Sequence, residues 1–153
     1  MVLAAACVRI VQRTILRLTQ SVYLSTTLTL LFAFSAIFWR FATDADAYIP
    51  SVLFLVACFH ILSTSAKPRP VLVGMLHAGA MLVHQLAIFF FPAAALGIYL
   101  KGGRRSLLQY CALAAGVTLP VYCAGFWLQQ RSSHLSCLLY TSPPGWRAAQ
   151  GEG

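Results

Sequence analysis

Residues Val71 to Leu100 read VLVGMLHAGAMLVHQLAIFFFPAAALGIYL, thirty positions without a formal charge. His84 and Gln85 stand in the middle of this run, polar side chains in a stretch otherwise suited to lipid. One straight helix of thirty residues would be ~45 Å long at ~1.5 Å per residue. A bilayer hydrocarbon core is only ~30 Å thick. So either the helix overshoots the membrane, or the chain breaks or turns near His84-Gln85. The two versions put the polar pair at different places in the fold.

The charges on either side decide between them. Upstream, Arg9, Arg13 and Arg17 lie four apart, followed by an apolar run from about Val22 to Phe41. The loop Ala42-Thr43-Asp44-Ala45-Asp46-Ala47 carries two of the three acids in the chain. A further apolar run extends from about Tyr48 to Leu62, with Pro50 suited to a first helical turn. Then come Lys67 and Arg69, the long run itself, the basic turn Lys101-Gly102-Gly103-Arg104-Arg105, and an apolar run from Leu107 to Leu128. Basic residues favour the cytoplasmic ends of spans. With the N-terminus inside, the Asp44–Asp46 loop falls outside and Lys67 and Arg69 fall inside. A single span over 71–100 would then expel Lys101, Arg104 and Arg105. A turn near His84-Gln85 keeps them inside, and it brings His84 and Gln85 to the same face as Asp44 and Asp46. The turned version is preferred. Its halves, 71–83 and 86–100, are short: tilted spans with local thinning, or a re-entrant hairpin packed within protein.

Composition points the same way. The 153 residues are 59% hydrophobic and 9% charged, with mean hydropathy +0.77, whereas soluble domains carry roughly 25% charge. No ~10-residue alternating segments suggest a transmembrane barrel. The expected fold is all-α: a polytopic transmembrane helix bundle of four to five membrane segments, one of them broken or hairpin-like near His84. Residues 1–20 form an amphipathic basic segment, 21–129 the transmembrane domain, and 130–153 a weakly ordered tail. The net charge of +8 sits in short clusters beside apolar runs. No interleaved basic and aromatic surface indicates nucleic acid. Five cysteines show neither CxxC nor a Cys/His metal spacing and read as small packing residues.

Polar groups at membrane depth are costly, which makes them functional candidates. Asp44-Ala45-Asp46 is a DxD, a spacing that can hold a divalent cation against phosphate oxygens. The same acids could instead cap the next helix and complement its dipole. His84 and Gln85 can bind phosphate, or hydrogen-bond between helices. Tyr48 and Trp39 flank the acidic loop as belt aromatics, with Tyr48 also able to orient a headgroup. His60 and His77 read as packing or interface residues. There is no Walker loop, no GxGxxG after a strand and no GxSxG.

The run FAFSAIFWRFATDADAYIPSVLFLVACFHIL, then a basic loop, then GMLHAGAMLVHQLAIFFFPAAAL, resembles the polytopic GT-C membrane glycosyltransferases, most closely those related to protein O-mannosyltransferases. The resemblance covers about residues 32–100. It is carried by the aromatic pair Phe38-Trp39 at a span end, the acid-x-Tyr element Asp46-Ala47-Tyr48, and His84 ahead of an apolar run with Pro92. It implies transfer of a sugar from a polyprenyl-phosphate donor on the non-cytoplasmic face, using external acids, often with a divalent cation such as Mg or Mn. Asp44 and Asp46 would then serve metal or donor phosphate, and His84, Gln85 and Tyr48 the donor headgroup. Asp46 stands where Glu is usual. The family's first external loop would lie before Met1, and its later spans and soluble region are missing. The chain therefore reads as a fragment of a larger transferase. Two other readings stay open: a small non-enzymatic membrane protein packing against partner helices through Thr26–Thr29 and Ala112–Gly116, and a transporter fragment using the broken stretch 71–100.

Overall fold

The computed structural model describes the backbone of residues 2–43 and 48–140 and the side chains of residues 2–40 and 48–131. Every described element is helical, as the all-α reading requires. In order they are α1 (Val2–Thr19), α2 (Val22–Ala33), α3 (Ala36–Thr43), α4 (Tyr48–Thr64), α5 (Pro70–Val83), a 3₁₀ segment (Gln85–Phe90) and α6 (Phe91–Tyr140). Among them one helical stretch, Gln85–Arg131, is long and apolar enough to cross a membrane; Val22–Ala33, Tyr48–Thr64 and Pro70–Val83 are apolar but shorter. The chain divides into two compact units, Met1–Thr118 and Leu119–Gly153.

The first unit is an up-and-down bundle whose turns are written in small polar residues. Gln20 takes a positive φ of 54° between α1 and α2, and the Ser21 hydroxyl caps α2 by accepting from the Leu24 amide. α2 then runs back along α1, where the Ser25 hydroxyl donates to the Gln12 carbonyl at 2.9 Å. The apolar run expected to continue from Val22 to about Phe41 is interrupted at Phe34-Ser35. The Ser35 hydroxyl donates to the Phe32 carbonyl and accepts from the Phe38 amide, a local alternative to the helical ladder.

α4 returns parallel to α1. Ala4 and Cys7 share a buried cluster with Phe38 and Ile49, and further on Thr14 hydrogen-bonds His60 Nδ1 at 2.7 Å. So α1, the amphipathic basic segment, is a packed member of the bundle, its start lying at the Tyr48 end of α4. α5 starts on Pro70 at its first position and lies antiparallel to α4. Ser51 donates to the Ala80 carbonyl at 3.1 Å, and the Cys58 thiol donates to the Val73 carbonyl at 3.6 Å. Cys7 and Cys58 are fully buried, small packing residues as read from the sequence.

α6 is two helices joined at Gly103, whose φ of 66° and ψ of −165° are not helical. The Phe91 and Tyr110 rings lie 5.5 Å apart. Nineteen residues of straight helix would separate them by ~28 Å, so the arms 91–102 and 104–118 fold against each other. The hinge is crowded: a Cβ on Gly102 would fall 2.7 Å from the Pro68 ring. The basic turn is anchored, since Lys101 Nζ donates to the Leu62 and Ser65 carbonyls at the end of α4.

In the second unit the helix continues to Tyr140. Residues 130–140, at the head of the segment read as a weakly ordered tail, belong to this helix. The sequence 131–140 holds neither Gly nor Pro, so nothing in it stops propagation. The Arg131 guanidinium lies 3.8 Å over the Trp127 ring.

Candidate functional site

The long apolar run is broken at His84. Its φ of −148° and ψ of 121° end α5 in extended backbone, and the next six residues form a 3₁₀ turn rather than α-helix. Runs of 3₁₀ beyond three or four residues are uncommon, and mid-helix they mark functional hinges or strain. The His84 ring holds the break. Its Nδ1 accepts from the Leu86 amide at 3.3 Å, and its carbonyl accepts from the Ala87 amide at 3.1 Å. With Nδ1 occupied by a donor, the neutral ring carries its proton on Nε2, which suits an anionic oxygen.

A second histidine, His77, fixes the break from inside. It is fully buried. Its Nε2–H donates to the Ala87 carbonyl at 3.0 Å, and its Nδ1 accepts from the Tyr110 hydroxyl at 2.6 Å. The two rings are stacked at 6.0 Å, with Phe90 and Phe91 around them. One side chain thus ties α5, the 3₁₀ segment and the second arm of α6 together. Gly74 lets that arm approach: a Cβ there would sit 3.1 Å from the Leu113 Cβ. The sequence reading made His77 a packing residue, and packing it does, but as the hub of a polar network. No local pattern joins His77 to Tyr110, 33 residues away.

The break carries His84 onto the start of α4, where its ring lies 4.1 Å from that of Tyr48. His84 and Tyr48 are both half-buried, and Gln85 beside them is exposed. Of the predicted site residues, the structure therefore brings His84 and Tyr48 together, with Gln85 adjoining. Asp44 and Asp46 lie outside the described residues, and so does any pairing of the DxD with the histidine. Among the described residues no group of three or more His, Cys, Asp or Glu could hold a metal ion.

Tyr48 and His84 stand at the mouth of a pocket of about 210 Å³ lined also by Ser51, Val52, Leu55, Leu86 and Ala87. Val52 and Leu55 also line a larger pocket of about 340 Å³ between α1 and α4, which is wholly apolar and reaches Ile15 and Phe59. The two pockets share Val52 and Leu55 and so adjoin along α4, an apolar trough with the His84–Tyr48 ring pair at one end. Such an arrangement can take an amphiphile lengthwise: headgroup at the ring pair, chain over Val52, Leu55, Val56 and Phe59.

The chain matches no protein-family model, no curated protein and no solved structure.

Proposed function

We propose that the chain is a polytopic membrane bundle, a segment of a GT-C-type glycosyltransferase that handles a polyprenyl-phosphate-linked sugar. The observation that carries this reading is the His84–Tyr48 pair at the mouth of the apolar trough. The His84 Nε2–H and the Tyr48 ring bind the donor phosphate and its sugar, with Gln85 as a further donor. The polyprenyl chain lies along α4. Asp46 precedes Tyr48 by two residues in the sequence. Asp44 and Asp46 supply carboxylates for a divalent cation or for the acceptor.

Topology follows from charge. Tyr48 begins α4, and the carbonyls that hold Lys101 end it. The mouth and the basic turn thus lie at opposite ends of that helix. With Lys67, Arg69, Lys101, Arg104 and Arg105 cytoplasmic, the mouth faces the non-cytoplasmic side, where donors of this kind present their headgroups. The start of α1, packed against Ile49, then lies on that side as well, so this orientation replaces the N-terminus-inside expectation. The helices α2, α4 and α5 serve as short tilted segments, accommodated by tilt and thinning.

The test uses membranes that contain the full chain and a photoactivatable polyprenyl phosphate. The probe is expected to crosslink to residues of α4 and α1. His84→Ala and Asp46→Asn should each reduce crosslinking, and should reduce sugar transfer by the full-length parent at least tenfold. Unchanged transfer in both variants would sink the reading. So would equal competition by the phosphate-free polyprenol, which lacks the group that His84 is assigned to hold.

A further inference from the structure

Arg9, Arg13 and Arg17 form one exposed row on α1, at the four-residue spacing that stacks side chains along a helix. Their depth is set by packing. The Ala4/Cys7 cluster lies against Ile49 near the start of α4, and Thr14 is bonded to His60 near its end. Arg17 therefore sits level with the end of α4, Arg13 near His60, and Arg9 alongside its middle. If α4 lies in the bilayer, Arg9 is some 13 Å inside the end of that helix by the helical rise. A guanidinium facing hydrocarbon there is unfavourable by several kcal/mol.

Two observations show how the row is accommodated. Arg9 leans toward the basic end, its Nη1 donating to Gln12 Oε1 at 2.8 Å, which is the direction of a snorkelling side chain. Among the described residues there is no carboxylate to pair with the row. The row offers only donors, stacked on an apolar helix and turned toward the end that also carries Lys67, Arg69, Lys101, Arg104 and Arg105. Its complement is an anionic group mounted on a hydrocarbon chain.

We propose that the outer face of α1 is a binding site for an anionic phospholipid. The lipid phosphate is drawn down onto Arg13 and Arg9, Arg17 holds the rest of the headgroup, and the acyl chains run beside Ile10 and the outer side of α1. The site lies on the opposite face of α1 from the trough, whose lining on this helix is Val11, Thr14 and Ile15. The proposal rests on the membrane part of the reading above and is independent of any sugar transfer.

The experiment places the full chain in nanodiscs containing phosphatidylcholine and phosphatidylglycerol in a 7:3 ratio, and native mass spectrometry reads the lipids retained after release. Each basic residue near an anionic surface is worth roughly fivefold in affinity. The wild type should thus retain phosphatidylglycerol well above its share in the disc. The Arg9→Gln, Arg13→Gln, Arg17→Gln triple variant should fall to the ratio of the disc, and the matching triple lysine variant should keep most of the enrichment. A Lys67→Gln, Arg69→Gln variant controls for charge at the basic end and should stay enriched. Enrichment unchanged in the triple glutamine variant would overturn the proposal and assign the row to a protein neighbour instead. Extraction of the chain from membranes by alkaline carbonate would remove the membrane reading itself.

Discussion

His77 gives the fold its sharpest test at the level of single residues. Two of its nitrogens satisfy two partners on different elements, the Tyr110 hydroxyl and the Ala87 carbonyl. An orphaned buried polar group costs ~1–3 kcal/mol, and groups in one network are non-additive. His77→Leu strands both partners at once and should destabilise the protein by about 2–4 kcal/mol. Tyr110→Phe strands only Nδ1 and should cost about 1–2 kcal/mol. In the His77→Leu background, Tyr110→Phe should cost little, because it then removes a hydroxyl that has already lost its partner. Unfolding of the four proteins of this cycle in one detergent measures the coupling. Strict additivity would mean that the hydrogen bond contributes nothing and that the two residues act through shape alone.

At the scale of elements, the hinges of this chain differ in kind. His84 breaks a helix with a side chain that caps its own turn, whereas Gly103 breaks one with backbone that a β-carbon disfavours. Gly103→Ala should therefore destabilise by about 1–3 kcal/mol. Gly116→Ala, where a new Cβ meets nothing within 4 Å, should be neutral or stabilising by up to about 1 kcal/mol, since alanine is the better helix former. Thermal unfolding of the two single variants checks the contrast, and equal effects would remove the hairpin at Gly103. The two breaks also differ in how far the sequence exposes them. The one at His84 follows from the basic residues flanking 71–100, which a straight helix would set on opposite sides. The turn at Gly102-Gly103 is visible as a basic glycine pair, but its anchoring by Lys101 on α4 is not, because that contact joins residues 36 or more apart. The interruption at Ser35 was missed for another reason: hydropathy is continuous across it, and a hydroxyl competing for the backbone leaves no trace in an apolar pattern.

For the molecule as a whole, what matters is which end of the bundle faces which side. The sequence made His84 and Tyr48 candidates by separate routes, one as a polar interruption and the other as a belt aromatic, and the fold joins them because α4 and α5 are antiparallel with a break at the top. The same antiparallel packing sends Lys101 to the far end of α4. A bundle built this way has Lys67, Arg69, Lys101, Arg104 and Arg105 toward one end and the His84–Tyr48 pair at the other, and a membrane would read that asymmetry of charge as orientation. The consequence can be measured in intact cells, using a background in which Cys7, Cys58, Cys111, Cys123 and Cys137 are replaced. A membrane-impermeant maleimide should label His84→Cys from outside without permeabilisation, and should label Arg69→Cys and Arg104→Cys only after it. The bundle then constrains the outcome further: because the two groups are held at opposite ends of one packed helix, no tilt or register shift can bring all three positions to one side. Labelling of positions 69, 84 and 104 from the same side would exclude the broken bundle as a spanning structure, and with it the placement of the trough mouth on the non-cytoplasmic face.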